Sequence, residues 1–197
     1  PIIASGINAC VLHYIENNKK CKSGDLLLMD FGAEYYNYAA DLSRTIPVNG
    51  KFSKRQKQVY NSVLNVQKQA IKLMIPGASI NSINYEVGLL MQDELLQLGL
   101  LKKKDILNQQ GKEPLYKKYY MHGTSHFLGL DVHDVGQKNK EFKPGMILTC
   151  EPGIYIPEEN IGIRLENDIL ITEKGNEDLM KKIPIEAEEI EEIMQTK

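Results

Sequence analysis

Two hydrophobic periods alternate along this chain, and the switches between them predict its elements. Residues 26–31 are an apolar run that carries Asp30, and after Gly32 residues 36–48 are rich in side chains that suit strands, so the two stretches form a β-hairpin. Ser53 with Gln56 three residues on makes a capping box, and Val59, Val63, Val66, Ala70 and Leu73 then recur at steps of four and three. That spacing predicts an amphipathic helix, stopped by Pro76 and Gly77. Ser79 caps a second helix whose stripe of Ile80, Ile83, Val87 and Leu90 runs toward Leu98, with Gly99 as its stop.

Residues 102–118 are polar, Lys-rich and interrupted by Gly111 and Pro114, the pattern of a surface connection. Beyond a histidine-bearing stretch, Pro144 and Gly145 turn the chain into a second hairpin, residues 146–156 with 161–172. Residues 185–194 are a short acidic segment with helical potential. The order strand pair, helices, strand pair predicts an α+β domain with two similar halves, although no sequence repeat is visible.

Composition leaves this picture intact. A chain of 197 residues supports one well-buried core, and 42% hydrophobic with 25% charged residues is an ordinary globular mix. A net charge of -2 offers no global attraction to nucleic acid or to an anionic membrane, and the cluster Lys102, Lys103, Lys104 reads as a solvated face. No apolar stretch approaches the roughly 20 residues of a spanning helix, and no charged-then-apolar leader opens the chain, so the expected location is cytoplasmic. Cys10, Cys21 and Cys150 are an odd set without CxxC spacing, which favours free thiols over a disulfide framework or a thiolate metal site.

The chemistry enters through acids placed on apolar strands. If the first hairpin turns near Tyr35 and Tyr36, Asp30 and Asp41 lie directly opposite each other; the same count places Glu151 opposite Glu166 about a turn beside Asn160. Like charges facing each other on a sheet repel, and carboxylates on apolar strands are also costly to desolvate. Any one such acid alone reads as a solvated strand end. Two opposed pairs near histidines, however, are what a pair of divalent cations asks of a protein.

The chain has four histidines, His13, His122, His126 and His133, and three of them fall within 12 residues beside Asp131 and Asp134. His122 and His126 at i and i+4 share one face, so at least one is a candidate nitrogen ligand and the others are candidates to face substrate. Arg164, two residues before Glu166, shares that strand face and is placed to orient a carboxylate.

The same residues sit in extended motifs: LHYIENN at 12–18, LLMDFGAEYYNYAADLSRTIPVNGKFS at 27–53, MHGTSHFLGLDVHDVG at 121–136, LTCEPGIYIP at 148–157 and GIRLENDILIT at 162–172. On these the chain resembles the C-terminal pita-bread catalytic domain of Xaa-Pro aminopeptidases, the aminopeptidase P family, within the metallopeptidase group that includes prolidases and methionine aminopeptidases. The resemblance implies five metal ligands, Asp30, Asp41, His126, Glu151 and Glu166, around two divalent cations. Manganese is the implied metal, with cobalt, iron or zinc as alternatives. His13, His122 and His133 match residues around the substrate, while Tyr155 and Arg164 match an inner hydrogen-bonding layer.

The implied reaction is hydrolysis of the N-terminal Xaa-Pro bond through a metal-bridging hydroxide, with Glu151 moving the proton and His133 and His122 assisting. Residues 1–197 are expected to be that catalytic domain, as a fragment lacking an N-terminal domain and the first helices. The expected partners are peptides with proline at the second position, with no nucleic acid and no membrane, and the resemblance admits a homo-oligomer in the full-length protein. Two rival readings are an Xaa-Pro dipeptidase, which shares all five ligands, and a non-catalytic pita-bread module that binds a protein partner.

Overall fold

The computed structural model describes residues 1–111 and 113–195. Strand β1 (Ile2–Ser5) pairs antiparallel with β2 (Leu26–Asp30), which pairs in turn with β5 (Ser43–Pro47). Between β2 and β5 the chain makes a small hairpin of β3 (Glu34–Tyr35) and β4 (Tyr38–Ala39). Its two turn residues, Tyr36 and Asn37, have φ of 49° and 67°, the left-handed pair that suits the twist of a two-residue hairpin.

This turn corrects the expected register. Asp30 lies opposite Ser43 rather than opposite Asp41, because the bend is centred on Tyr36 and Asn37 instead of Tyr35 and Tyr36. Moving the centre by one residue moves every pairing by two, so the parity that puts both aspartates on one face survives. Gly32 makes the crossing feasible: a Cβ there would lie 1.6 Å from the carbonyl oxygen of Ala40.

Helix α1 (Lys54–Leu73) begins with the expected capping box, Ser53 Oγ accepting the Gln56 N–H and Gln56 Oε1 accepting the Ser53 N–H at 2.8 Å. Its stripe of Val59, Val63, Val66 and Ala70 is fully buried. Helix α2 (Ile80–Gln97) starts at Ser79, buries Ile80, Ile83 and Val87, and ends before Gly99, whose φ of +73° closes the helix. Helix α1 packs on the strands and α2 packs on α1, and both contribute to one hydrophobic core. The Lys-rich connection is a surface segment with a short helix α3 (Lys103–Leu107) and a 3-10 turn over Leu115–Lys118.

The second hairpin forms in two sections. Strand β6 (Ile147–Cys150) pairs with β9 (Asn167–Thr172), and β7 (Gly153–Ile156) pairs with β8 (Ile161–Arg164). Strand β10 (Gly175–Asp178) adds to the outer side of β9, and helix α4 (Ala187–Gln195) closes the described chain. The ladders set Cys150 against Asn167 and Gly153 against Arg164, so Glu151 and Glu166 face each other as the midpoint count predicts. The two sheets meet where Ser43 pairs with Glu166. No described helix is long and apolar enough to cross a membrane.

Candidate active site

The seam between the two sheets opens into a cleft of about 350 Å³. Local pairing explains what lines it. Strand β2 ends in Asp30, and the chain returns through Asp41 just before β5. Residues 124–127 run alongside β6, where Thr149 N–H donates to the His126 carbonyl at 3.0 Å and Glu151 N–H to that of Thr124 at 2.9 Å. His126 is thereby laid beside Glu151. All five expected ligands line the cleft, as do His13, His122, His133 and Arg164. Tyr155 lies behind the wall, fully buried.

The side chains converge unequally. One ligand atom each from Asp41, His126 and Glu166 lie within 4.8 Å of one another, close enough to share a cation. His126 Nε2 is 3.5 Å from Asp41 Oδ2 and 3.7 Å from Glu151 Oε1. Asp30 is taken up by the Arg164 guanidinium, which also donates to Ser43 Oγ at 2.9 Å and to Tyr155 Oη at 3.2 Å. Tyr155 Oη in turn meets His122 Nε2 at 2.8 Å, so one chain of polar contacts runs from Asp30 through Arg164 and Tyr155 to His122. His133 stacks on His126 with ring centroids 3.9 Å apart.

The electrostatics are those of crowded acids. Burial, against the pull of His126 and Arg164 and with repulsion from Asp41 and Asp30, pushes Glu151 up to about 7. Glu166 is raised well above its ordinary range by burial and by the facing carboxylates, and burial also raises Asp30 against the pull of Arg164. For His126, burial disfavours the charged ring, but Asp41, the Phe127 carbonyl and Glu151 outweigh it and raise its pKa. His122, buried and facing Arg164, is lowered to about 4 and stays neutral.

Clustered carboxylates beside one imidazole form a donor set for hard or borderline divalent cations, so these residues fit a divalent metal. Three further residues of the site escaped the sequence reading. Ser43 donates to Glu166 Oε2 at 2.6 Å, Asp168 accepts the Asp41 N–H at 3.1 Å, and Thr149 Oγ1 accepts the His126 N–H at 3.1 Å. Each stands two residues from an expected ligand, the strand parity that singled out Arg164.

A family model for metallopeptidase family M24 matches residues 1–173. The chain belongs to this family. It is 45% identical to the Xaa-Pro aminopeptidase of Haemophilus influenzae, covering 98% of this chain and 47% of that protein. It is 38% identical to the mitochondrial intermediate cleaving peptidase 55 of Arabidopsis thaliana, again over 98% of this chain and 40% of the relative. Among solved structures, zinc-substituted aminopeptidase P of Escherichia coli in complex with product superposes with a TM-score of 0.91 at 43% identity, over 98% of this chain and 46% of that one. The same enzyme with the inhibitor Pro-Leu gives 0.91 as well. The chain thus spans just under half the length of these relatives, and its fold is the pita-bread fold of aminopeptidase P.

Proposed function

We propose that this chain is the catalytic domain of a metal-dependent aminopeptidase that hydrolyses the N-terminal Xaa-Pro bond of peptides. The observation that carries the reading is the convergence of Asp41, His126 and Glu166 within 4.8 Å, beside Glu151 and Asp30, in one cleft. In this reading Asp30, Asp41, His126, Glu151 and Glu166 hold two divalent cations, manganese in the cell, and the protein acts in the cytoplasm. Assembly of the full-length protein into a homo-oligomer is part of the same reading. Bound divalent cations supply Lewis acidity, which acidifies water and polarises a carbonyl.

The remaining work falls to side chains of the chain. Glu151, pushed up to about 7, takes the proton of the attacking water and returns it to the departing proline nitrogen as a base that becomes an acid. His133, which lines the cleft and stacks on His126, donates to the developing oxyanion. His122, kept neutral by burial, contacts the substrate through a ring oriented by Tyr155, and His13 lines the same cleft. Arg164 and Tyr155 hold Asp30 and His122 in place.

The test is release of the first residue from an Xaa-Pro-Xaa tripeptide by the full-length protein, stripped of metal and titrated with Mn2+. Metal-dependent cleavage of the tripeptide in preference to an Xaa-Pro dipeptide supports the aminopeptidase reading. Preference for the dipeptide makes the protein a prolidase, and binding of Mn2+ without cleavage of either makes it a non-catalytic module.

A further inference from the structure

Asp168 has no part in the proposed reaction, yet it occupies a position that an ordinary core residue would fill with less strain on solvation. It lies on β9 directly across from Thr149 and is only 3% exposed. Its Oδ2 accepts the backbone N–H of Asp41 from 127 residues away in sequence, and its Oδ1 has no hydrogen-bond partner among the described residues. The charged groups that face it are the carboxylates of Asp41 and Asp178 and the imidazole of His126. A buried carboxylate with one hydrogen bond and like charges beside it disfavours folding, so its value lies in what it holds.

What it holds is the backbone of Asp41, one of the three residues whose ligand atoms converge. Thr149, its cross-strand neighbour, does the same for a second member of that trio by accepting the His126 N–H at 3.1 Å, and its Oγ1 also lies 3.5 Å from Glu151 Oε1. We infer that Asp168 is a positioning residue of the metal site: it fixes the peptide unit from which the Asp41 carboxylate projects toward His126 and Glu166. The inference rests on the reading of Asp41 as a metal ligand. A group that orients a ligand without touching the metal is expected to set affinity as well as rate.

The experiment compares Asp168→Ala and Asp168→Asn in the full-length, metal-free protein. It reads the exchange rate of the Asp41 amide hydrogen by NMR, Mn2+ affinity by calorimetry, and fold by circular dichroism. Asp168→Ala should speed Asp41 amide exchange and weaken Mn2+ binding by about 10- to 100-fold, the usual range for residues that orient ligands. Asp168→Asn keeps an oxygen in the accepting position and should restore slow exchange and bring affinity to within about tenfold of wild type. A folded Asp168→Ala with wild-type affinity and wild-type Asp41 exchange overturns the inference. So does a folded Asp168→Asn that is as weak as Asp168→Ala, the pattern of a site that depends on the charge of Asp168 and not on its accepting oxygen. If Asp168→Ala does not fold, the Asn variant decides alone by the same affinity limit. Failure of the wild type to bind Mn2+ sinks the metal reading, and the Asp41 exchange rate then still tells whether Asp168 holds that N–H.

Discussion

Ser43 and Glu166 face each other across the seam that joins the two sheets: their backbones pair, and Ser43 Oγ donates to Glu166 Oε2 at 2.6 Å. The same hydroxyl accepts from Arg164 Nε at 2.9 Å, so one small side chain ties a ligand candidate to the arginine that holds Asp30. The site is assembled at a joint between halves, and its geometry depends on that joint.

Ser43→Ala is therefore expected to cost about 1–3 kcal/mol of stability in the metal-free protein, because it leaves Glu166 and the Arg164 Nε–H buried with a partner missing. Urea unfolding of the variant and wild type measures this. A change within error would mean that the hydroxyl is dispensable to the seam.

The stability of the metal-free protein should fall as pH rises from about 4.5 to about 7. Burial raises Glu151 and Asp168 to about 7 from ordinary values of 4.5 and 3.8, and raises Glu166 well above its ordinary 4.5. The folded chain therefore holds these protons more tightly than the unfolded one. Their stabilising contribution is complete below the ordinary values and lost through the raised ones. His122, lowered to about 4 by burial, acts in the opposite sense, contributing fully above 6.5 and losing that contribution as pH falls toward 4. These carboxylates, with Asp30 and His126 raised in the same sense, outweigh His122 in this window. Thermal melts across the range, repeated with Mn2+, check the sign; added cation should flatten the slope, since it favours the ionised carboxylates.

Glu151→Gln should lower kcat by at least about 10²-fold while leaving the fold intact, because it removes the group proposed to move the proton. The expected change lies mainly in kcat rather than in unfolding temperature. Turnover near the wild-type level would reassign the proton transfer to another residue.

Gly136 lines the cleft beside His133, and a Cβ there would lie 2.1 Å from the Phe127 ring. Gly136→Ala should destabilise the protein by about 1–3 kcal/mol through overpacking and reduce kcat/KM by shifting the loop that carries His133. A calorimetric scan paired with tripeptide kinetics tests both halves, and unchanged kinetics would show that the loop position does not matter to catalysis.

The two long helices were legible because their signals are local. Ser53 with Gln56 and the stripe from Val59 to Ala70 need only the turn they belong to. The opposition of Glu151 and Glu166 was also legible, since the loop around Asn160 keeps the chain in even register on both sides. The first hairpin was displaced because the turn conformation, with Tyr36 and Asn37 both left-handed, sets which residue meets Asp30. Edge strands β1 and β10 carried too little periodicity to be recognised; they form because a neighbouring strand offers unpaired backbone groups.

The sequence by itself determined the α+β layout, the two opposed acid pairs and the cluster of histidines, because residue type and period are written in short stretches, and the family resemblance of its motifs narrowed these to five ligand candidates. Tertiary structure alone decided that Asp30 is held by Arg164, that Ser43 joins Glu166 to the opposite sheet, and that Asp168 supports Asp41. Those contacts link residues 134, 123 and 127 positions apart, and which partners meet over such distances depends on strand register and on how the sheets join.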